Sequence, residues 1–162
     1  MGKQFIAALS DETEDVVAAL EWLETRPELD AGRTAIVGHS FGTLVSLLAS
    51  ARTPRLRAGV SFAGPSQTWS DAPALQETML AAIEQLTIPF FLIQAQNDHS
   101  LLPTYTLGTL LVCSQERRWP AARESDRHRV REASGKMAVW SVLAPALTRF
   151  HSPGPTACGE PG

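Results

Sequence analysis

Three short apolar runs, residues 34–37, 57–62 and 88–95, are set between stretches whose apolar residues recur every three to four positions. The run at 34–37 shows no alternation with polar residues, so it fits a strand covered on both faces, as in a parallel sheet; 57–62 is the next strand candidate and 88–95 the most apolar one. Residues 11–25 carry Val16, Leu20 and Leu23 on one helical face, with Val17 beside them. Asp11, followed by Glu14 three residues on, suits an N-terminal cap with acids in the first turn, and Pro27 ends the pattern. Leu44, Leu47 and Leu48 mark a second helix over 43–51. Leu75, Met79, Ile83 and Leu86 mark a third over 73–86, and a fourth begins near Pro103. Helices alternating with strands predict an α/β fold, a mostly parallel sheet wound with helices on its faces.

The turn between the first strand and the second helix reads Gly38-His39-Ser40-Phe41-Gly42. A G-x-S-x-G string is informative only where it joins a strand to a helix, and here it does. Such a turn strains the serine backbone and lifts its hydroxyl clear of the sheet. Glycines two residues to either side let strand and helix approach without Cβ clashes. The amide of Phe41, at the start of the helix, is then placed to stabilise an oxyanion. The plain alternative is a glycine-rich turn with an ordinary N-capping serine. His39 adjoins the serine along the chain and points elsewhere from so tight a turn, which leaves it a packing or rim position.

Asp98 follows the most apolar run, 88–95. In open α/β sheets, functional groups gather beyond the carboxyl ends of strands, so Asp98 and Ser40 are expected at one edge. The competing reading of Asp98 is a cap for the helix near Pro103.

Residues 13–111, about 60% of the chain, resemble the dienelactone hydrolase branch of the α/β-hydrolase superfamily. The resemblance is carried by Asp15-Val16-Val17-Ala18-Ala19-Leu20-Glu21-Trp22-Leu23, by the strand and turn over 34–42, and by Val60-Ser61-Phe62-Ala63. Gln94-Ala95-Gln96-Asn97-Asp98, with Pro103 after it, is similar to the family's acid-bearing loop. The resemblance implies cleavage of carboxylic esters or lactones through an acyl-enzyme on Ser40, with Asp98 orienting the base and no metal or other cofactor. It implies that Trp69 lies where relatives build part of the pocket wall; a core role is equally open. Serine at the turn departs from the branch's cysteine-nucleophile members.

Only 39 residues precede Ser40, room for one helix and one strand, so N-terminal strands of such a sheet are expected to be missing. No upstream loop looks like the source of a second oxyanion donor. Loss of one such donor typically costs about 10²–10³ in rate, so the isolated chain is expected to be weak or inactive. His128, 30 residues beyond Asp98, is the candidate base, with a solvated surface histidine as the alternative. His99 adjoins the acid and is too constrained, and His151 sits in a Pro/Gly-rich end.

The chain changes character near Val112. Residues 1–111 carry a net charge of −6 and residues 112–162 one of +3, within an overall −3. Both cysteines, Cys113 and Cys158, and five of the eleven prolines lie in the second part. That part is expected to be an atypical tail, disordered or read out of frame, or else a divergent genuine one with an echo of a closing helix at Trp140-Ser141-Val142-Leu143. Six arginines between Arg117 and Arg131 lack aromatic interleaving and have Glu124 and Asp126 among them, which argues for a solvated stretch rather than a nucleic-acid surface. Two cysteines are too few for a disulfide framework and lack metal-ligand spacing. The first ten residues are too weakly apolar for a secretory signal, and no run approaches the ~18 residues of a membrane span. The expected setting is the cytoplasm and the expected partner a small-molecule ester or lactone, with no nucleic acid and no membrane. The class to weigh against an enzyme is a non-catalytic α/β remnant or binding module.

Overall fold

A computed structural model describes residues 3–118, 130–133 and 137–141. The chain forms a five-stranded sheet in the order β1-β2-β3-β5-β4, built from β1 (Ala35–His39), β2 (Ala58–Phe62), β3 (Phe90–Ala95), β4 (Val130–Ala133) and β5 (Met137–Ser141). β1, β2 and β3 are parallel, with Val37 opposite Val60 and Val60 opposite Phe91. β5 joins β3 antiparallel, Leu92 facing Trp140, and β4 pairs antiparallel with β5. Trp140 and Ser141 therefore lie in a strand, not in the closing helix that their sequence suggested.

Four helices accompany the sheet: α1 (Lys3–Glu24), α2 (Phe41–Arg52), α3 (Pro73–Gln85) and α4 (Leu102–Arg118). α1 starts eight residues before Asp11, which is a mid-helix residue and not a cap, and the first turn holds no acid. Packing outweighs the capping signal here. Leu9 is fully buried, and the Phe5 ring meets Phe41 edge-on with centroids 5.7 Å apart, so the apolar stripe runs on toward the N-terminus. Exposed ion pairs, Arg52 with Glu14 and Arg55 with Glu24, also join α1 to α2 and the turn beyond it. Such pairs contribute at most about 1 kcal/mol each.

The helices form one layer: α1 packs on α2, α2 on α3, and α3 on α4. Helices on opposite faces of a sheet could not touch one another, so among the described residues only one face is covered. Burial follows the strand period of two. Gly38, Gly59, Phe90, Leu92 and Gln94 are buried beneath the helices, while Val60, Phe62, Phe91 and Ile93 are half-buried on the other side. Val37, on the edge strand β1, is 67% exposed. The expectation that the first strand is covered on both faces is thus corrected: the apolar run 34–37 has one buried face and one open one.

Two consequences can be measured. Phe90 is fully buried, and its ring occupies the space that a Cβ on Gly59 would need. Phe90→Ala is expected to cost about 3–5 kcal/mol, read as a lower urea midpoint at unchanged m-value. Val37→Lys removes an exposed valine from an open edge, so stability should stay within about 0.5 kcal/mol while light scattering of concentrated solutions falls.

Candidate active site

The local structure at Ser40 follows from the residues around it. Its amide donates to Phe62 O (3.0 Å), which ties the end of β1 to the end of β2. Thr43 Oγ1 donates to the same carbonyl (2.8 Å), fixing the first turn of α2 against the sheet. Between these anchors Ser40 takes φ 53° and ψ −117°, a conformation natural to glycine and strained for serine. Its side chain makes no capping hydrogen bond and is exposed. The ordinary N-cap reading of this serine does not describe it.

The two flanking glycines are not equivalent. A Cβ on Gly38 would lie 2.1 Å from the Gly42 carbonyl oxygen and 2.5 Å from Ser46 Oγ, so strand and helix meet only because residue 38 has no side chain. A Cβ on Gly42 would have nothing within 4 Å. The expected steric need for glycine holds at 38 and not at 42.

Phe41 opens α2, and its amide is among the first-turn donors that no helical carbonyl satisfies. Its ring is 39% exposed beside Phe5. His39 ends β1 as an exposed residue.

Asp98 lies beyond β3, half-buried and held at three points. Ser66 Oγ donates to Oδ1 (2.7 Å), the His99 amide donates to Oδ1 (2.6 Å), and Gln94 Nε2 donates to Oδ2 (2.5 Å). Asp98 does not cap α4; the hydroxyl near its start that accepts from the Leu102 amide is that of Ser100 (3.2 Å). Ser40 and Asp98 leave the same edge of the sheet, beyond parallel strands with β2 between them. Two strand spacings put those strand ends roughly 10 Å apart, a gap that an imidazole and two short side chains can bridge.

Trp69 is placed differently from the pocket wall that the resemblance implied. It is 3% exposed, within the core ahead of α3, and its carbonyl accepts from Gln76 Nε2 (2.6 Å). Burial leaves the ring almost no surface to offer a ligand. His128 and His151 lie outside the described residues.

Three participants were not singled out from the sequence. Gln94 is 1% exposed and joins Asp98 to the loop after β2 and to α4. Ser66 approaches Asp98 from that same loop. Ala63, at the end of β2, has φ 51°, a second strained backbone at this edge. Gln94 carried a readable signal. It is the polar residue at a buried position of an otherwise apolar strand, in phase with Phe90 and Leu92.

A parallel sheet whose edge strand passes through a strained, open serine into a helix, with an anchored aspartate two strands away, is the arrangement of an α/β-hydrolase. Residues 1–104, more than half of the chain, match the family model of the dienelactone hydrolase family, and the chain belongs to that family. Membership indicates hydrolase activity of the dienelactone hydrolase kind. No curated protein and no solved structure matches the chain. Among the described residues, no helix is long and apolar enough to cross a membrane.

Proposed function

We propose that the chain is a serine hydrolase of small carboxylic esters or lactones, with Ser40 as nucleophile, Asp98 orienting the base and the Phe41 amide as an oxyanion donor. His128 is the base in this reading. The observation that carries it is the backbone of Ser40, φ 53° and ψ −117°, with an exposed hydroxyl that caps nothing. Strain of about 1–3 kcal/mol at one residue persists only where surrounding bonds enforce it, and such sites cluster where chemistry is done.

In the first step Ser40 Oγ bonds to the ester carbonyl carbon as its proton passes to the imidazole. The carbonyl π electrons move onto oxygen, facing the Phe41 amide. Collapse breaks the bond to the leaving oxygen, which takes the proton from the imidazolium and departs as an alcohol. Water, deprotonated by the same imidazole, then attacks the acyl-enzyme, releasing the carboxylic acid and restoring Ser40. In a lactone the leaving oxygen stays tethered to the acyl chain, and the product is a hydroxy acid.

Labelling tests the reading directly. An alkyl fluorophosphonate should phosphonylate the full chain at one site, with the adduct mapped to the peptide containing Ser40. A folded chain that takes no label, or takes it elsewhere, overturns the proposal and favours a non-catalytic member of the family.

A further inference from the structure

The bonds around Asp98 define more than an anchored carboxylate. Gln94 Oε1 accepts from the Gly64 amide (2.8 Å) and from Thr104 Oγ1 (3.0 Å). A backbone N–H can only donate, so the amide oxygen of Gln94 must face Gly64 and its Nε2 must face Asp98. That orientation is set by the loop after β2 and by α4. An ionised carboxylate offers about four accepting sites, two on each oxygen. Both sites on Oδ1 are taken, by Ser66 Oγ and the His99 amide, and Gln94 takes one on Oδ2. Among the described residues one site remains, and it is on Oδ2.

We propose that Ser66 and Gln94 are positioning residues which hold the Asp98 carboxylate so that Oδ2 receives the N–H of the catalytic imidazole. The inference rests on the reading of Asp98 as the group that orients the base. Neither residue touches the reacting atoms. Ser66 stops the carboxylate from turning about its Cβ–Cγ bond, and Gln94 fixes the distance from Oδ2 to the core of the sheet. A carboxylate free to rotate would hold the imidazole in the wrong direction for part of the time, and misplacement of about 1 Å can cost about 10²-fold in rate.

The test measures the phosphonylation rate of Ser40 by an alkyl fluorophosphonate in the full 162-residue chain, with Tm followed in parallel. Ser66→Ala is expected to slow labelling about 10–100-fold while Tm stays within a few degrees, and Ser66→Thr, which keeps the hydroxyl, should restore the rate to within about threefold. Gln94→Met should slow labelling comparably; if it fails to fold, the Ser66 pair decides alone. A slowed Asp98→Asn chain beside a Ser66→Ala chain that labels at the unsubstituted rate overturns the positioning role and leaves the reading of Asp98 intact. If Asp98→Asn also labels at the unsubstituted rate, both fall. A Ser66→Thr chain as slow as Ser66→Ala also overturns the role, because the hydroxyl is then not what matters.

Discussion

Ser40→Ala abolishes acyl-enzyme turnover of a 4-nitrophenyl ester, a turnover already low in a chain with one oxyanion donor, with the fold retained. The effect follows from losing the nucleophile, since the remaining groups of a serine hydrolase act as a unit with it and lose most of their effect together. Ser40→Gly should match it in activity and differ in stability. At φ 53° and ψ −117° serine is strained and glycine is not, so glycine there is expected to stabilise the chain by about 1 kcal/mol. A gain in stability paired with loss of turnover separates a strained functional residue from a merely tolerated one. Ester turnover undiminished in Ser40→Ala contradicts the nucleophile assignment. A less stable Ser40→Gly contradicts the account of strain.

Gly38→Val is expected to abolish cooperative folding. Even the Cβ would lie 2.1 Å from the Gly42 carbonyl oxygen and 2.5 Å from the Gly42 carbonyl carbon, and both are backbone atoms that cannot swing aside. Relief requires α2 to move off β1, against bonds from Ser40 N and Thr43 Oγ1 to Phe62 O. Overpacking against movable side chains already costs about 1–3 kcal/mol, and domains hold only about 5–15 in total. The matched control is Gly42→Ala. Its Cβ enters open space within the first turn of α2, where alanine is the better helix former, and a gain of about 0.5–1 kcal/mol is expected. Circular dichroism and urea titration of the two variants check both signs. Equal behaviour would show that the tight approach at Gly38 is not what locks this turn.

Much of the architecture is legible in the sequence alone. The runs at 34–37, 57–62 and 88–95 became β1, β2 and β3, within about two residues at each end, because short apolar runs between helical stretches suit parallel strands. Pro73 at the first position of α3 and the G-x-S-x-G turn at the start of α2 were equally readable, since each rests on a local backbone constraint. The start of α1 was not. Asp11 and Glu14 offered a convincing cap, but Leu9 and Phe5 extend the helix by packing on neighbours that no window of sequence contains. The pairing of β5 with β3 was missed for a related reason. Antiparallel addition to a sheet depends on a free edge far away in the chain, and Met137–Ser141 carries little local sign of it.

At the candidate site the same division holds. Ser40 and Asp98 could be singled out because each follows an apolar strand, and parallel strands send their carboxyl ends to one edge. Ser66 could not be named as a partner of Asp98, because the two are 32 positions apart and meet only through the loops that follow two neighbouring strands. Trp69 illustrates the converse: a tryptophan has no local mark to tell a pocket wall from a core, and burial decided it.

By itself the sequence determined what depends on neighbours along the chain: the alternation of strand and helix, the strained turn at Ser40, and the family these share. Tertiary structure alone decided which face of each strand is covered, where α1 begins, why Gly38 must be glycine while Gly42 need not be, and which oxygen of Asp98, among the described residues, has room for another bond. Backbone preference acts within a few residues, so it is written locally. Burial, close approach and hydrogen-bond satisfaction depend on atoms brought together from distant positions, and they take values only once the chain has folded.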